Sequence, residues 1–176
     1  MEEITLISSD RIYSRIVELA RDISNYCKAN CISELNVIWA AEGAIMFAAD
    51  LCRKLNVPYV RISSVKISTY QDSTKPTGNV KVERLSGVFA GKDILLIDDI
   101  LETGNTMKIM ENLLLDAGAK SVKKCVLLKK KNVSNPVCQA DYVGFEIDDY
   151  FVYGYGLDYQ NMYRNFPDIK ARILNP

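Results

Sequence analysis

The stretch Ile94-Leu95-Leu96-Ile97-Asp98-Asp99-Ile100-Leu101-Glu102-Thr103-Gly104-Asn105-Thr106 carries the main signal of this chain. Its run of Ile and Leu predicts a buried strand over Asp93 to Asp98. Two adjacent acids are costly inside an apolar strand, so Asp98 and Asp99 are expected at the strand's end, at a ligand edge. Thr106 to Ala117 follows at helical spacing, and Gly118 stops it. Between strand and helix, Gly104 permits a tight turn. The N–H groups of Thr103, Gly104, Asn105 and Thr106, with the helix N-terminus behind them, make an anion site. The pattern is neither a Gly-x-x-x-x-Gly-Lys-Ser/Thr loop nor a dinucleotide fingerprint. A phosphate cradle beside two or three carboxylates calls for a ligand with both phosphate and hydroxyl groups, a sugar phosphate. A magnesium ion would offset the repulsion between acids and phosphates.

Working outward, Ser8-Ser9-Asp10 offers a helix cap, and Ile12, Ile16, Leu19, Ala20 and Ile23 predict an amphipathic helix from about Asp10 to Ala29. Leu35 to Ala40 is a short buried strand, Ala44 to Leu55 a helix stopped near Pro58, and Val57 to Tyr70 a strand. The polar segment Gln71 to Gly78 is a loop, and Asn79 to Arg84 alternates like an exposed strand. Ser121 to Leu128, Tyr142 to Glu146 and Phe151 to Tyr155 complete the strands. Strands separated by helices predict one α/β domain over residues 1–176, a parallel sheet flanked by helices on both faces. In such folds ligands sit beyond the carboxyl ends of the strands.

Composition narrows the chemistry. Lys plus Arg equals Asp plus Glu at 22 each, so no net field draws nucleic acid or an anionic membrane. The acidic N-terminus lacks a signal-peptide layout and no apolar run approaches a membrane span, which points to the cytoplasm. The chain has no histidine, so Ser-His-Asp and Cys-His catalysis and imidazole acid–base work are excluded. Five cysteines without a compact framework argue against a disulfide scaffold. Cys27 and Cys31 could share one helix face and contact a metal, although buried apolar packing is the commoner use.

The whole pattern resembles the phosphoribosyl-diphosphate signature of type I phosphoribosyltransferases, and more narrowly the hypoxanthine-guanine branch of the purine enzymes. Leu6 to Ile12 is similar to that family's N-terminal helix start, Phe47 to Arg53 to its first long helix, and Ser68-Thr69-Tyr70 to its closing loop. Asp141 to Tyr159 matches its purine-site segment closely. The resemblance implies a small hood over the sheet and a mobile loop from Ser68 to Gly78 that closes over the reacting centre. It also implies transfer of the phosphoribosyl group from phosphoribosyl diphosphate to a 6-oxopurine, with magnesium, in a homo-dimer or homo-tetramer.

Residue by residue, the resemblance gives Asp98 and Asp99 the ribose hydroxyls, directly or through magnesium, and gives Thr103, Gly104, Asn105 and Thr106 the 5′-phosphate. Glu102 takes the position of the general base, where the family has aspartate. Lys130 donates to the purine 6-oxygen; strand alternation also sends it to the face opposite Lys129 and Lys131. Phe151 stacks on the base, Val152 offers backbone groups to its edge, and Asp158 lies near the base and a second magnesium. Gly43 and Arg164 hold diphosphate. Where the family has Lys-Gly or Arg-Gly, this chain has Ala41-Glu42-Gly43. A glutamate about 4 Å from diphosphate costs about 1 kcal/mol per charge pair in water. These two departures leave open a protein that senses phosphoribosyl diphosphate or a nucleotide without turnover, and xanthine remains an alternative base.

Overall fold

The computed structural model describes residues 2–40, 42–65, 67–70, 79–82, 89–131 and 136–173. In chain order its elements are β1 (Glu2–Ile7), α1 (Ser9–Ala29), β2 (Glu34–Ala40), α2 (Ile45–Cys52), β3 (Tyr59–Val65), β4 (Ile67–Tyr70), β5 (Asn79–Val82), β6 (Asp93–Leu101), α3 (Asn105–Asp116), β7 (Ser121–Lys130), β8 (Tyr142–Ile147), β9 (Phe151–Tyr153) and β10 (Ile169–Ile173).

The near-continuous apolar runs of β2, β6 and β7 suit strands covered on both faces, and they form the middle of a parallel sheet ordered β3-β2-β6-β7-β8. On one face, α1 and α2 close a core that takes Ile12, Ile16, Leu19, Phe47, Leu51, Leu95 and Ile97. On the other, α3 packs Met107, Met110 and Leu114 against Ile38, Ile94, Leu96 and Val126. Each fully buried Ile or Leu contributes about 1.5–3 kcal/mol. This is the α/β architecture that the strand–helix alternation predicts. No helix among the described residues is long and apolar enough to cross a membrane.

The strands and loops around this sheet depart in part from the sequence reading. Val57 to Tyr70 is two strands, not one: β3 joins the main sheet, while β4 pairs antiparallel with β5. Residues 71–78, the greater part of the closing loop expected from Ser68 to Gly78, lie outside the described residues. A second, antiparallel sheet ordered β1-β10-β9 forms the expected hood; β1 and β10 come from the two ends of the chain and neither has an interior apolar run to announce it. The third strand of this sheet, β9, stops at Tyr153, because Gly154 (φ 95°), Tyr155 (φ 51°) and Gly156 (φ 99°) turn the chain sharply.

The ends of α1 use partners far away in sequence or an unusual backbone. Ser8 makes no side-chain cap; the Ser9 N–H donates instead to Asp168 Oδ1 at 2.7 Å, fastening α1 to the start of β10. At the other end Cys31 takes φ 55° while the Ile32 N–H donates to the Cys27 carbonyl at 2.8 Å, a closure usually made by glycine. Cys27 is therefore buried and Cys31 exposed, so the two do not share a face, and all five cysteines are free thiols.

Candidate active site

The acids of β6 are placed differently from the sequence expectation. The strand continues past Asp98 to Leu101, and Asp98 is buried, 7% exposed, rather than standing at an open end. β6 is paired with β2 only as far as Ile97, but with β7 as far as Leu101. Beyond Ile97 the loop that follows β2 lies against the Asp99 side chain. Asp98 Oδ1 accepts the Asp99 N–H at 3.0 Å, and Asp99 Oδ1 accepts the Ile100 N–H at 2.9 Å. Burial, then the neighbouring Asp99 charge, push the Asp98 carboxyl well above the usual carboxylate range; burial also raises Asp99, with Arg164 and backbone donors pulling the other way.

The loop after β2 is seated on Asp99. A Cβ on Gly43 would fall on the Asp99 carboxylate, with Arg164 Nη1 the next atom at 3.6 Å. Gly156 in turn presses against the Gly43 carbonyl with no room for a side chain. Arg164 donates from Nη1 to the Gly156 carbonyl at 2.6 Å and its Nη2 forms an ion pair with Asp158 Oδ1 at 2.8 Å, while Asp158 Oδ2 accepts the Asn161 N–H at 2.8 Å. Gly43, Asp99, Asp158 and Arg164, far apart in the chain, thus converge. Glu42 is exposed and Ala41 lies outside the described residues. Gly156 was not singled out from sequence; its signal was the spacing Gly154-x-Gly156.

The loop between β6 and α3 has the geometry of an anion cradle. Gly104 takes φ 80°, and α3 begins with no side-chain cap, so first-turn N–H groups are left for a ligand. The loop is braced from behind. The Val137 N–H donates to the Thr103 carbonyl at 3.0 Å, and a Cβ on Gly104 would come within 3.2 Å of Cys138. Asn105 N–H donates to Thr103 Oγ1 at 3.4 Å, which shapes the turn.

Next to this cradle, Lys130 behaves as alternation predicts: its side chain is 13% exposed, against 35% for Lys129 and 47% for Lys131. Its Nζ donates to Glu102 Oε1 and, at 2.6 Å, to Asp149 Oδ1. The expected proton acceptor and the expected purine donor are therefore in direct contact. Phe151 is 48% exposed, so it is not a core residue; its ring meets Tyr159 edge-on at 5.4 Å, and Tyr159 in turn carries Arg172 over its face at 4.2 Å. Val152 is buried beside it. Asp149, Tyr159 and Arg172 were not singled out from sequence, since charged and aromatic residues in turns are common.

Among the described residues no group of three or more metal-ligating side chains is arranged to enclose an ion. Asp158, expected near a second magnesium, lies apart from Asp98 and pairs with Arg164. Asp98 and Asp99, two adjacent carboxyl groups at the strand end, fit magnesium, which takes one or two carboxylates and completes its shell with water and substrate oxygens.

A five-stranded parallel sheet flanked by helices, with an antiparallel hood and a glycine-turned loop after an acidic strand, has the fold of a type I phosphoribosyltransferase. Residues 8–160 match the phosphoribosyl transferase domain family, and the chain belongs to it. It is 38% identical over 166 residues to the hypoxanthine-guanine phosphoribosyltransferase of Aquifex aeolicus, covering 93% of this chain and 91% of that one. It is also 37% identical over 173 residues to the bifunctional protein TilS/HprT of Listeria innocua, covering 97% of this chain but 26% of that protein, so it spans about a quarter of that relative's length. Among solved structures, a hypoxanthine-guanine phosphoribosyltransferase from Bacillus anthracis with HEPES in its active site superposes with a TM-score of 0.86 at 33% identity, covering 97% and 98% of the two chains.

Proposed function

We propose that this chain transfers the 5-phosphoribosyl group of phosphoribosyl diphosphate to hypoxanthine and guanine, giving IMP, GMP and diphosphate. The observation that carries the reading is the contact between Glu102 and Lys130 beside the Thr103–Thr106 cradle. A carboxylate acceptor next to an ammonium donor is complementary to a 6-oxopurine edge, whose ring N–H donates and whose oxygen accepts. Adenine would set its amino donors against the ammonium.

Thr103, Gly104, Asn105 and Thr106 hold the 5′-phosphate on the backbone N–H groups of the cradle. Asp98 and Asp99 receive the ribose hydroxyls. Gly43 brings backbone, and Arg164 its guanidinium, to diphosphate. Phe151 supplies an exposed ring for the base to stack on, and Val152 and Asp158 border the base edge. In the transfer, the bond from the ribose anomeric carbon to diphosphate breaks, a bond to the purine nitrogen forms, and the ring proton passes to the Glu102 carboxylate. Charge develops at the anomeric carbon, so alignment and charge placement do most of the catalysis. Magnesium, when bound on the side of Asp98 and Asp99, supplies charge neutralisation for the phosphates; Asp158 is left to the purine side and to orienting Arg164. The chain acts as a single domain in a homo-dimer or homo-tetramer in the cytoplasm.

The test is competitive. Hypoxanthine, guanine, xanthine and adenine are offered together with phosphoribosyl diphosphate and magnesium, and the nucleotides are separated by chromatography. IMP and GMP should dominate; AMP as the main product would reverse the assignment of Lys130.

A further inference from the structure

We propose that Asp149 is a positioning residue of the purine site, holding the Lys130 ammonium in place while Glu102 engages the base. The inference rests on the function proposed above. Lys130 is largely buried, yet its two partners, Glu102 and Asp149, are 55% and 77% exposed. An ammonium has three N–H donors. One goes to Glu102 and one to Asp149; among the described residues the third has no acceptor, which leaves it for the 6-oxygen of a purine.

With Glu102 as its sole partner, the lysine would be drawn along whenever that carboxylate moved to take the ring proton. A second carboxylate that never touches the reacting atoms removes this conflict. Burial alone would push the Lys130 ammonium toward deprotonation, but Asp149 and Glu102 together hold it above the ordinary lysine value, so it stays a donor.

The location of Asp149 supports the role. It lies in the turn between β8 and β9, two residues before Phe151, so one turn carries both the tether of the oxygen donor and the stacking ring. That turn is shaped by backbone contacts independent of the Asp149 side chain: the Tyr150 N–H donates to the Asp148 carbonyl at 2.8 Å, and the Lys131 N–H to the Ile147 carbonyl at 2.9 Å. The neighbouring acids serve other lysines, Glu146 pairing with Lys129 at 2.8 Å and Asp148 with Lys131 at 3.4 Å. An ion pair with so exposed a carboxylate adds little to stability, so its use is in the site.

The experiment compares wild type, Asp149→Asn and Asp149→Glu. Loss of the tether should raise KM for hypoxanthine and guanine about 5- to 10-fold, the size expected for one weakened hydrogen bond to a charged group. KM for phosphoribosyl diphosphate should stay within about two-fold, and Asp149→Glu should recover most of the loss. In 13C-lysine NMR, with the Lys130 signal assigned by its absence from Lys130→Ala, Asp149→Asn should move the Lys130 titration to lower pH. Unchanged base KM values, or equal rises for both substrates, would overturn the proposal. Should wild type convert no purine, the functional reading fails separately, and the Lys130 titration decides the tether alone: a shift to lower pH upholds it, and no shift overturns it.

Discussion

Gly43→Ala adds one methyl group at a known place. The new Cβ would lie far inside contact distance of Asp99 Oδ2 and 2.8 Å from its Cγ. The loop cannot retreat, because Gly156 is pressed against the Gly43 carbonyl on the other side. Gly43 is not in the left-handed region, so alanine suffers no backbone strain there and the effect is steric. Asp99 must rotate and give up the Ile100 N–H it accepts at 2.9 Å. Overpacking of this kind costs about 1–3 kcal/mol, and about 2 kcal/mol lowers Tm by about 4–8 °C in a chain of this size. With the ribose role proposed for Asp99, its displacement removes a hydrogen bond to a charged group, about 1.5–3 kcal/mol, so kcat/KM for phosphoribosyl diphosphate should fall about 10- to 150-fold. Circular-dichroism melts and initial rates at saturating hypoxanthine measure both. A Tm within about 1 °C of wild type, with kcat/KM within about two-fold, would refute the packing of this loop on Asp99.

Two further outcomes follow from the same contacts. Lys130→Ala should lower kcat/KM for hypoxanthine and guanine by about 10- to 100-fold through loss of a charge-assisted hydrogen bond, while KM for phosphoribosyl diphosphate moves less than about two-fold in the same initial-rate assay; equal losses would remove Lys130 from the base site. Glu111, on α3 and paired with Lys124 of β7, is pushed up by burial but pulled below the ordinary carboxylate value overall by Lys124 and Lys108. A depressed folded-state pKa means its stabilisation is present above the unfolded value and lost as pH falls through the folded one. The Tm gap between wild type and Glu111→Gln should therefore be widest near neutral pH and narrow as pH drops below about 4.3; a gap independent of pH would show that the lysines do not act through its charge.

The central strands and helices were legible because their signals are local: the Ile and Leu run of β6, the helical spacing in α1, the glycine before α3. The cradle was legible for the same reason, since one short stretch supplies strand end, turn and helix start. What the sequence could not give depended on distant partners. β1 and β10 are strands chiefly because they pair with each other across the whole chain. The burial of Asp98 within a strand that runs on to Leu101 is something no local pattern reveals. Asp149 entered the site through a lysine on another strand, and Gly156 through contact with Gly43, so neither had a local reason to stand out. Glu102 was identified by its place in the pattern, but its contact with Lys130 had to be seen in three dimensions.

The most direct test of the account is the rate at which IMP forms from hypoxanthine and phosphoribosyl diphosphate with magnesium, followed for wild type and Glu102→Gln. The account predicts IMP and diphosphate in equal amounts from wild type, and a loss of about 10²–10⁴-fold when the proton acceptor is removed. No IMP from wild type, or equal rates for the two proteins, would contradict it.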